Sequence, residues 1–400
     1  MFRSAFLFQI LIVILDLRVL LHLEGNRTNI IVKAVMLGTG ALFLFTRPVQ
    51  RGVVALMAAM VGVALLCALG TDFRGFEWIR FVGGAVSLVM PFLFLAAEPT
   101  PEDRALVLRA LAVMPVAMVG LGVVYSAIGL STLFQEDATL HAIRLAGSDI
   151  PAYLGAAGFV GCFAALQLAE KRHFGYVVLF LCDAGITVLT GARMAIALAV
   201  MLCGAVYLLN FKRFPLVKFF APAYLLGASA VFLVFFGEGT IRRFQSGSFK
   251  GRDLLWSTLT TQLDAHPWFG VGLGNQLLLI PMRLTQKTGT IAGHDEYLRI
   301  AVELGYVGAA AVFILALVIF YKVWNTPWVR RDPTFAAAAA SFLIYCLSDN
   351  AFGVPEIFLI LTAASFANRG RSVEPAALPE RPMPASRPLA AAAPHGAESG

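Results

Sequence analysis

Apolar runs of close to 20 residues, separated by short polar breaks, succeed one another along most of the chain. Runs of that length suffice to cross the hydrocarbon core of a bilayer as helices. In order, they predict spans at about 1–23, 29–46, 53–70, 78–97, 105–127, 150–169, 174–190, 192–209, 217–236, 301–321, 334–348 and 355–367. The expected fold is an all-α polytopic membrane protein of about twelve transmembrane helices. The first run carries Arg3, Asp16 and Arg18 and lacks a small-residue cleavage site, so it reads as a retained helix rather than a removed signal.

One long polar segment interrupts the pattern, at 237–294. It divides the chain into an N-terminal bundle of about nine helices (1–236), a loop containing short helices (237–294), C-terminal transmembrane helices (295–370) and a tail (371–400). The tail is rich in alanine and proline (Pro375, Pro379, Pro382, Pro384, Pro388, Pro394) and cannot bury apolar surface, which predicts disorder. A shorter polar loop at about 128–149 holds Glu136, Asp137, His141 and Arg144.

Composition agrees with this reading. The chain is 59% hydrophobic and 14% charged, whereas soluble domains are about 45–50% apolar and about 25% charged. The net charge of +7 fits basic loops that fix topology. No basic cluster with interleaved aromatics points to nucleic acid. Arg47, Arg51, Arg104, Lys171, Arg172, Lys212, Arg213, Lys218, Lys322, Arg330, Arg331, Arg369 and Arg371 fall on one side of the expected spans. Arg27, Arg74, Arg144 and Arg193 fall on the other. The more basic side is expected to be cytoplasmic, with both termini inside and the 237–294 loop outside. All five cysteines (Cys67, Cys162, Cys182, Cys203, Cys346) sit in apolar runs and read as small hydrophobes rather than disulfides or metal ligands.

The long loop concentrates the candidate chemistry. Between 238 and 293, six basic residues (Arg242, Arg243, Lys250, Arg252, Arg283, Lys287) stand against three acidic ones (Glu238, Asp253, Asp264), leaving +3. A cationic external loop beside a membrane suits a phosphate-bearing lipid, because the guanidinium fork binds phosphate in bidentate fashion. A solvated loop with surface charges accounts for the same residues. Arg252 and Trp256 are one helical turn apart, with Leu254, Leu255, Leu259 and Leu263 available for packing. Gly270, Gly272 and Gly274 either form an anion-binding concavity or simply shape a turn. Arg193 at a span end serves as a headgroup anchor or points inward to a phosphate. His294 opens the helix that re-enters the membrane, where it is either a solvated histidine or a proton carrier. Asp295 is placed to cap that helix, and Arg299 and Glu303 are spaced to pair. Asp183, Glu303, Asp349 and Glu356 lie in or near spans, where carboxylates are functional candidates. No ligand set implies a metal, and no motif implies a cofactor.

The segments Thr190-Gly191-Ala192-Arg193, Gly251-Arg252 with Trp256, His266-Pro267-Trp268-Phe269-Gly270-Val271-Gly272-Leu273-Gly274, and His294-Asp295-Glu296-Tyr297-Leu298 with Glu303-Leu304-Gly305 and Gly308 resemble the O-antigen ligase and O-antigen polymerase family of bacterial envelope proteins. By motif the resemblance covers about 150–350. It departs at Ala192 and Met194, where the family often has serine and glycine, and at Asp295, where asparagine is common.

The resemblance implies a multi-pass enzyme of the bacterial inner membrane with its active loop in the periplasm. It implies transfer of glycan from an undecaprenyl-diphosphate-linked oligosaccharide to a saccharide, lipid A core or protein acceptor, without metal or cofactor. Carried over by position, Arg193 and Arg252 bind the diphosphate and His294 is catalytic. Arg242, Arg243, Trp256 and Glu303 are possible support. A transporter or flippase of lipid-linked saccharides is the rival reading. It would place the essential polar residues at the bilayer midplane, with Asp183 the obvious candidate.

Overall fold

The computed structural model describes residues 1–21, 25–137, 142–169, 174–209, 252–288 and 293–367. Within that set the side chains of Arg27, Arg252 and Lys287 are not described. The predicted span at 217–236, Arg242, Arg243 and the tail lie outside the described residues.

The described chain is almost entirely helical. The helices are α1 (Phe2–Leu15), α2 (Leu17–Leu21), α3 (Gly25–Thr46), α4 (Arg51–Gly70), α5 (Trp78–Val89, continued by a 3-10 turn Met90–Leu95) and α6 (Pro101–Ala127). They continue as α7 (Pro151–Ala169), α8 (Phe174–Leu189), α9 (Arg193–Leu209), α10 (Arg252–Ala265), α11 (Met282–Thr288), α12 (Glu296–Trp324), α13 (Pro333–Tyr345) and α14 (Pro355–Ala367). Five of the described helical segments are long and apolar enough to cross a membrane, namely Arg51–Gly70, Trp78–Leu95, Pro101–Ala127, Pro151–Ala169 and Glu296–Trp324. Six shorter apolar helices accompany them among the described residues. The expectation of an all-α chain needs one correction. Strands β1 (Phe134–Asp137) and β2 (Ala142–Leu145) pair antiparallel in the 128–149 loop, with Gln135 opposite Arg144.

Helix α7 is apolar all round, as a fully enclosed helix must be, and it sits at the centre of the bundle against α6, α8, α9 and α14. Its small residues let the neighbours approach. A Cβ on Gly155 would lie 2.5 Å from Ala192 Cβ, and one on Gly158 would lie 2.3 Å from Thr187 Oγ1. One on Gly161 would lie 2.7 Å from Asp183 Oδ2. Asp183 itself is completely buried here, and neither carboxylate oxygen has a hydrogen-bond partner among the described residues.

The polar contacts of the bundle gather at two ends. At one end, fully buried Asp103 accepts from Arg47 Nε at 2.6 Å and from Arg3 Nε at 3.1 Å, while forming a capping box with Thr100. This joins the starts of α1 and α6 to the α3–α4 turn, and Lys322 at the end of α12 lies against Gly52 of the same region. At the other end, Tyr125 OH donates to the Leu15 carbonyl and Ser148 Oγ to the Ile14 carbonyl, both at 2.7 Å. Arg144 Nε donates to the Thr190 carbonyl at 2.6 Å. Helices α10 and α12 open at this second end. Arg3, Arg47, Arg51, Lys322, Arg330 and Arg331 thus cluster away from Arg144 and Arg193.

Candidate functional site

The site is built around a break in α12. Its backbone is non-helical at Gly305, where φ is 70°. In an unbroken helix the Val302 carbonyl would accept from the Tyr306 N–H. Here Tyr306 N–H donates to the Pro267 carbonyl at 2.8 Å instead. The freed carbonyls of Val302 and Glu303 accept from Val271 N–H at 3.0 Å and Gly272 N–H at 2.8 Å. The His266–Asn275 segment is therefore a strap laid across the break. A Cβ on Gly305 would fall 2.3 Å from the Trp268 carbonyl carbon, and one on Gly270 would fall 2.5 Å from the Val302 oxygen. These glycines permit close backbone approach at positive φ. The anion-concavity reading of the glycine run does not hold for the N–H groups of Val271 and Gly272, which are spent inside the protein.

The strap is fastened on its other side to the α4–α5 turn. Thr71 Oγ1 donates to the Gly270 carbonyl at 2.5 Å, and Glu77 N–H donates to Asn275 Oδ1 at 3.0 Å. His266 Nδ1 lies 2.6 Å from Asp72 Oδ1, and this contact holds the Asp72 carboxyl below its ordinary range.

Helix α10 packs on the strap and on α12 through Leu255, Leu259 and Leu263, which form a second small core with Val271, Ile280 and Val302. Leu254, expected to join that face, is instead 41% exposed. Trp256 Nε1 donates to the Gly293 carbonyl at 2.8 Å. The α10 helix thereby fixes the backbone immediately before His294.

His294 holds a left-handed backbone, φ 48°, a conformation uncommon for a residue with a side chain. Directly after it, Asp295 caps α12 by accepting from Leu298 N–H at 3.0 Å. Glu296 N–H donates to the Cys346 carbonyl at 2.8 Å, pinning the start of α12 to the end of α13. The turn so formed presents the imidazole to Asp349, with Nδ1 and Oδ1 3.2 Å apart. His294 is about one quarter exposed and Asp349 about one seventh. A histidine whose Nδ1 faces a carboxylate is held in one orientation.

One turn inside α12, Arg299 pairs with Glu303 at 2.6 Å and with Glu296, all three buried. Lys33 of α3 stands within Coulombic reach of this group, so that two cations balance two carboxylates. The expected Arg299–Glu303 pair is present, and Glu303 belongs to this structural lock.

Residues 177–313 match the family model described as O-antigen ligase. Over that segment the chain is similar to the O-antigen ligase family. The O-antigen ligase match opens inside α8 and closes inside α12, so it includes Arg193, Arg252, the strap and His294. Asp349 lies beyond it. The family and the apolar helices together describe a multi-pass membrane protein. Comparison with curated proteins found no match.

Arg193 begins α9 and is exposed, with no hydrogen bond or ion pair among the described residues. Its helix packs against α13, whose last turn accepts from the start of α12 just after His294. Arg252 begins α10, one turn before Trp256. No group of three metal-ligating side chains is arranged for a metal ion among the described residues.

The sequence marks Asp349 only as one of four carboxylates in or near spans. It reads Arg18 only as a sign of a retained first helix and does not single out Asp149. Arg18 donates to Asp16 at 2.8 and 2.9 Å and also pairs with Asp149. The presence of Asp16 and Arg18 within an otherwise apolar run was the available signal.

Proposed function

We propose that this protein transfers a glycan from an undecaprenyl-diphosphate carrier to a hydroxyl acceptor. In this reading His294 Nε2 takes the proton of the acceptor hydroxyl as that oxygen attacks the sugar carbon of the sugar–diphosphate bond. Asp349 holds the imidazole and steadies the positive charge it acquires. Arg193 and Arg252 stand at the helix starts of α9 and α10, where fixed cations stabilise the charge developing on the leaving diphosphate. No metal is required for this chemistry. The His294 end of the bundle then faces the periplasm, with the Arg47 end and both termini in the cytoplasm of a bacterial inner membrane. The acceptor is the next repeat unit or another saccharide in preference to a dedicated lipid A core.

The observation that carries the reading is the His294–Asp349 contact inside a chain with an O-antigen ligase match. Purified protein in lipid nanodiscs, supplied with undecaprenyl-diphosphate oligosaccharide and candidate acceptors, tests it. His294→Ala should lower transfer by roughly 10²–10⁴-fold, and Arg252→Ala or Arg193→Ala by roughly 10²–10³-fold. Products longer by whole repeats would mark a polymerase, and a single transferred glycan a ligase. Undiminished transfer in folded His294→Ala would remove the assignment.

A further inference from the structure

The strap has a second face that its role in the α12 break leaves unused. Its tip turns two large aromatic side chains outward, Trp268 at 66% exposure and Phe269 at 47%. Exposed apolar patches mark contact surfaces for proteins or membranes. The tip is continuous with two of the membrane-length helices. The Phe269 ring lies on Gly70, the last residue of α4, where an added Cβ would fall 2.9 Å from Cγ. Leu66 and Leu69, on the same side of α4 as Gly70, are exposed. The Trp268 backbone lies on Gly305, and Tyr306 and Val307, the next residues of α12, are exposed as well. Close packing at Gly308 joins the two helices, since a Cβ there would fall 2.6 Å from Cys67 Sγ. An apolar surface thus runs from α4 and α12 onto the strap.

Two further observations say what covers that surface. The first is depth. Helix α4 has 20 residues, a rise of about 30 Å, which matches the hydrocarbon thickness of a bilayer. It begins at exposed Arg51, and exposed Asp72 follows its far end. Lys322 of α12 lies against Gly52 at the Arg51 level, and no charged residue intervenes between Gly305 and Lys322. Both helices therefore run from a level of cations to the strap, which lies where hydrocarbon gives way to headgroups. The second is backbone chemistry. From Pro267 to Met282 the chain has no charged side chain. Around the tip, the Pro267 and Gly270 carbonyls and the N–H groups of Gly270, Val271 and Gly272 are all bonded within the protein. Irregular backbone is tolerated at membrane depth only where its polar groups are met internally.

We propose that the strap tip is inserted in the interfacial layer of the bilayer, with Trp268 and Phe269 among the lipids beside α4 and α12. Aromatic side chains with one polar edge, tryptophan above all, favour that layer. The strap also carries α10 on its inner side, and Trp256 of α10 holds the Gly293 carbonyl. The turn that presents His294 is thereby tied to the membrane surface. That this serves a diphosphate borne by a lipid rests on the glycan-transfer reading, whereas the lipid contact itself does not.

Tryptophan fluorescence of the full-length protein in phosphatidylcholine nanodiscs tests this and needs no turnover. Subtracting the emission of Trp268→Phe from that of wild type isolates one indole. Trp268→Tyr, excited where tyrosine does not absorb, gives the same difference if the first variant folds poorly. With lipid brominated near the headgroup end of the acyl chain, most of this component should be lost. Bromines near the chain terminus should dim it less, and iodide in the water only slightly. That pattern upholds the insertion even where transfer fails and the glycan reading falls. A component that neither brominated lipid dims overturns it, whether or not iodide reaches the indole. Stronger dimming by the deeper bromines would put the tip in the hydrocarbon core and overturn the interfacial assignment.

Discussion

His294 Nδ1 and Asp349 Oδ1 meet at 3.2 Å across 55 residues of sequence. The contact spans the whole length of α12 and α13 and joins a residue inside the matched family segment to one beyond it. If Asp349 orients the imidazole, Asp349→Asn should keep the fold and lower transfer by roughly 10²–10⁴-fold, the range over which positioned acid–base groups act. It should also shift the pH profile of kcat, which loss of a purely structural carboxylate would leave in place. Transfer assays from pH 5 to 9 on both proteins check this.

Trp256 offers a gentler test. Its indole N–H reaches the Gly293 carbonyl at 2.8 Å, next to His294. Trp256→Phe deletes that bond while keeping the aromatic body. The expected cost is about 1 kcal/mol of stability, read as a small fall in thermal midpoint in nanodiscs. Transfer should fall more than that loss of folded protein explains, because the backbone before the histidine is released.

The break in α12 tolerates little. Gly305→Ala must adopt φ 70° and place a Cβ 2.3 Å from the Trp268 backbone. We expect a loss of roughly 3 kcal/mol or more, visible as poor yield or early aggregation on heating. Gly62→Ala, whose Cβ would meet nothing within 4 Å in α4, is the matched control and should be near neutral or stabilising.

Arg299 is buried between Glu296 and Glu303. Arg299→Met leaves two carboxylates with Lys33 as their nearby cation among the described residues, and removing one partner of such a group costs about 3–5 kcal/mol. The triple variant Arg299→Met with Glu296→Gln and Glu303→Gln should recover much of that loss. Thermal unfolding of the single and triple variants checks the sign.

Asp149 gives a pH dependence. It is buried, and it shares the Arg18 guanidinium with Asp16, so burial pushes its carboxyl from an ordinary 3.8 up to about 6 despite the arginine. The folded state then holds this proton more tightly than the unfolded one. The stabilising contribution is fully present below about pH 4 and is lost as pH rises to about 6. Asp149→Asn should lack this step, so that the difference in thermal midpoint between wild type and variant changes across pH 4–6 and is flat above it.

Much of the architecture was legible because bilayer thickness imposes a length on apolar runs, and the described helices fall within a few residues of the predicted ones. The Asp295 cap and the Arg299–Glu303 pair were legible because both are local, set by offsets of three and four along one helix. The pairing of His294 with Asp349 was not, since nothing in sequence spacing says which helix ends meet. Nor was the strap, because the Gly305 break reads as an ordinary position in an apolar run until the Pro267 carbonyl is seen to replace its helical partner. Leu254 went astray because four leucines so closely spaced cannot all share one face of a helix. The β1–β2 hairpin lay in a loop read only for its charges.

The strap has one more consequence, for the order of synthesis. Pro267, Val271 and Gly272 leave the ribosome before Tyr306, Val302 and Glu303, yet they need the backbone groups of those later residues. Until α12 has been delivered, the N–H groups of Val271 and Gly272 have only water to bond. The strap is therefore a late closure, made after most of the bundle is in place. Asp349, later still, joins His294 only once α13 has followed. A nascent chain released before that point would hold nearly every residue of the domain and have no working pair.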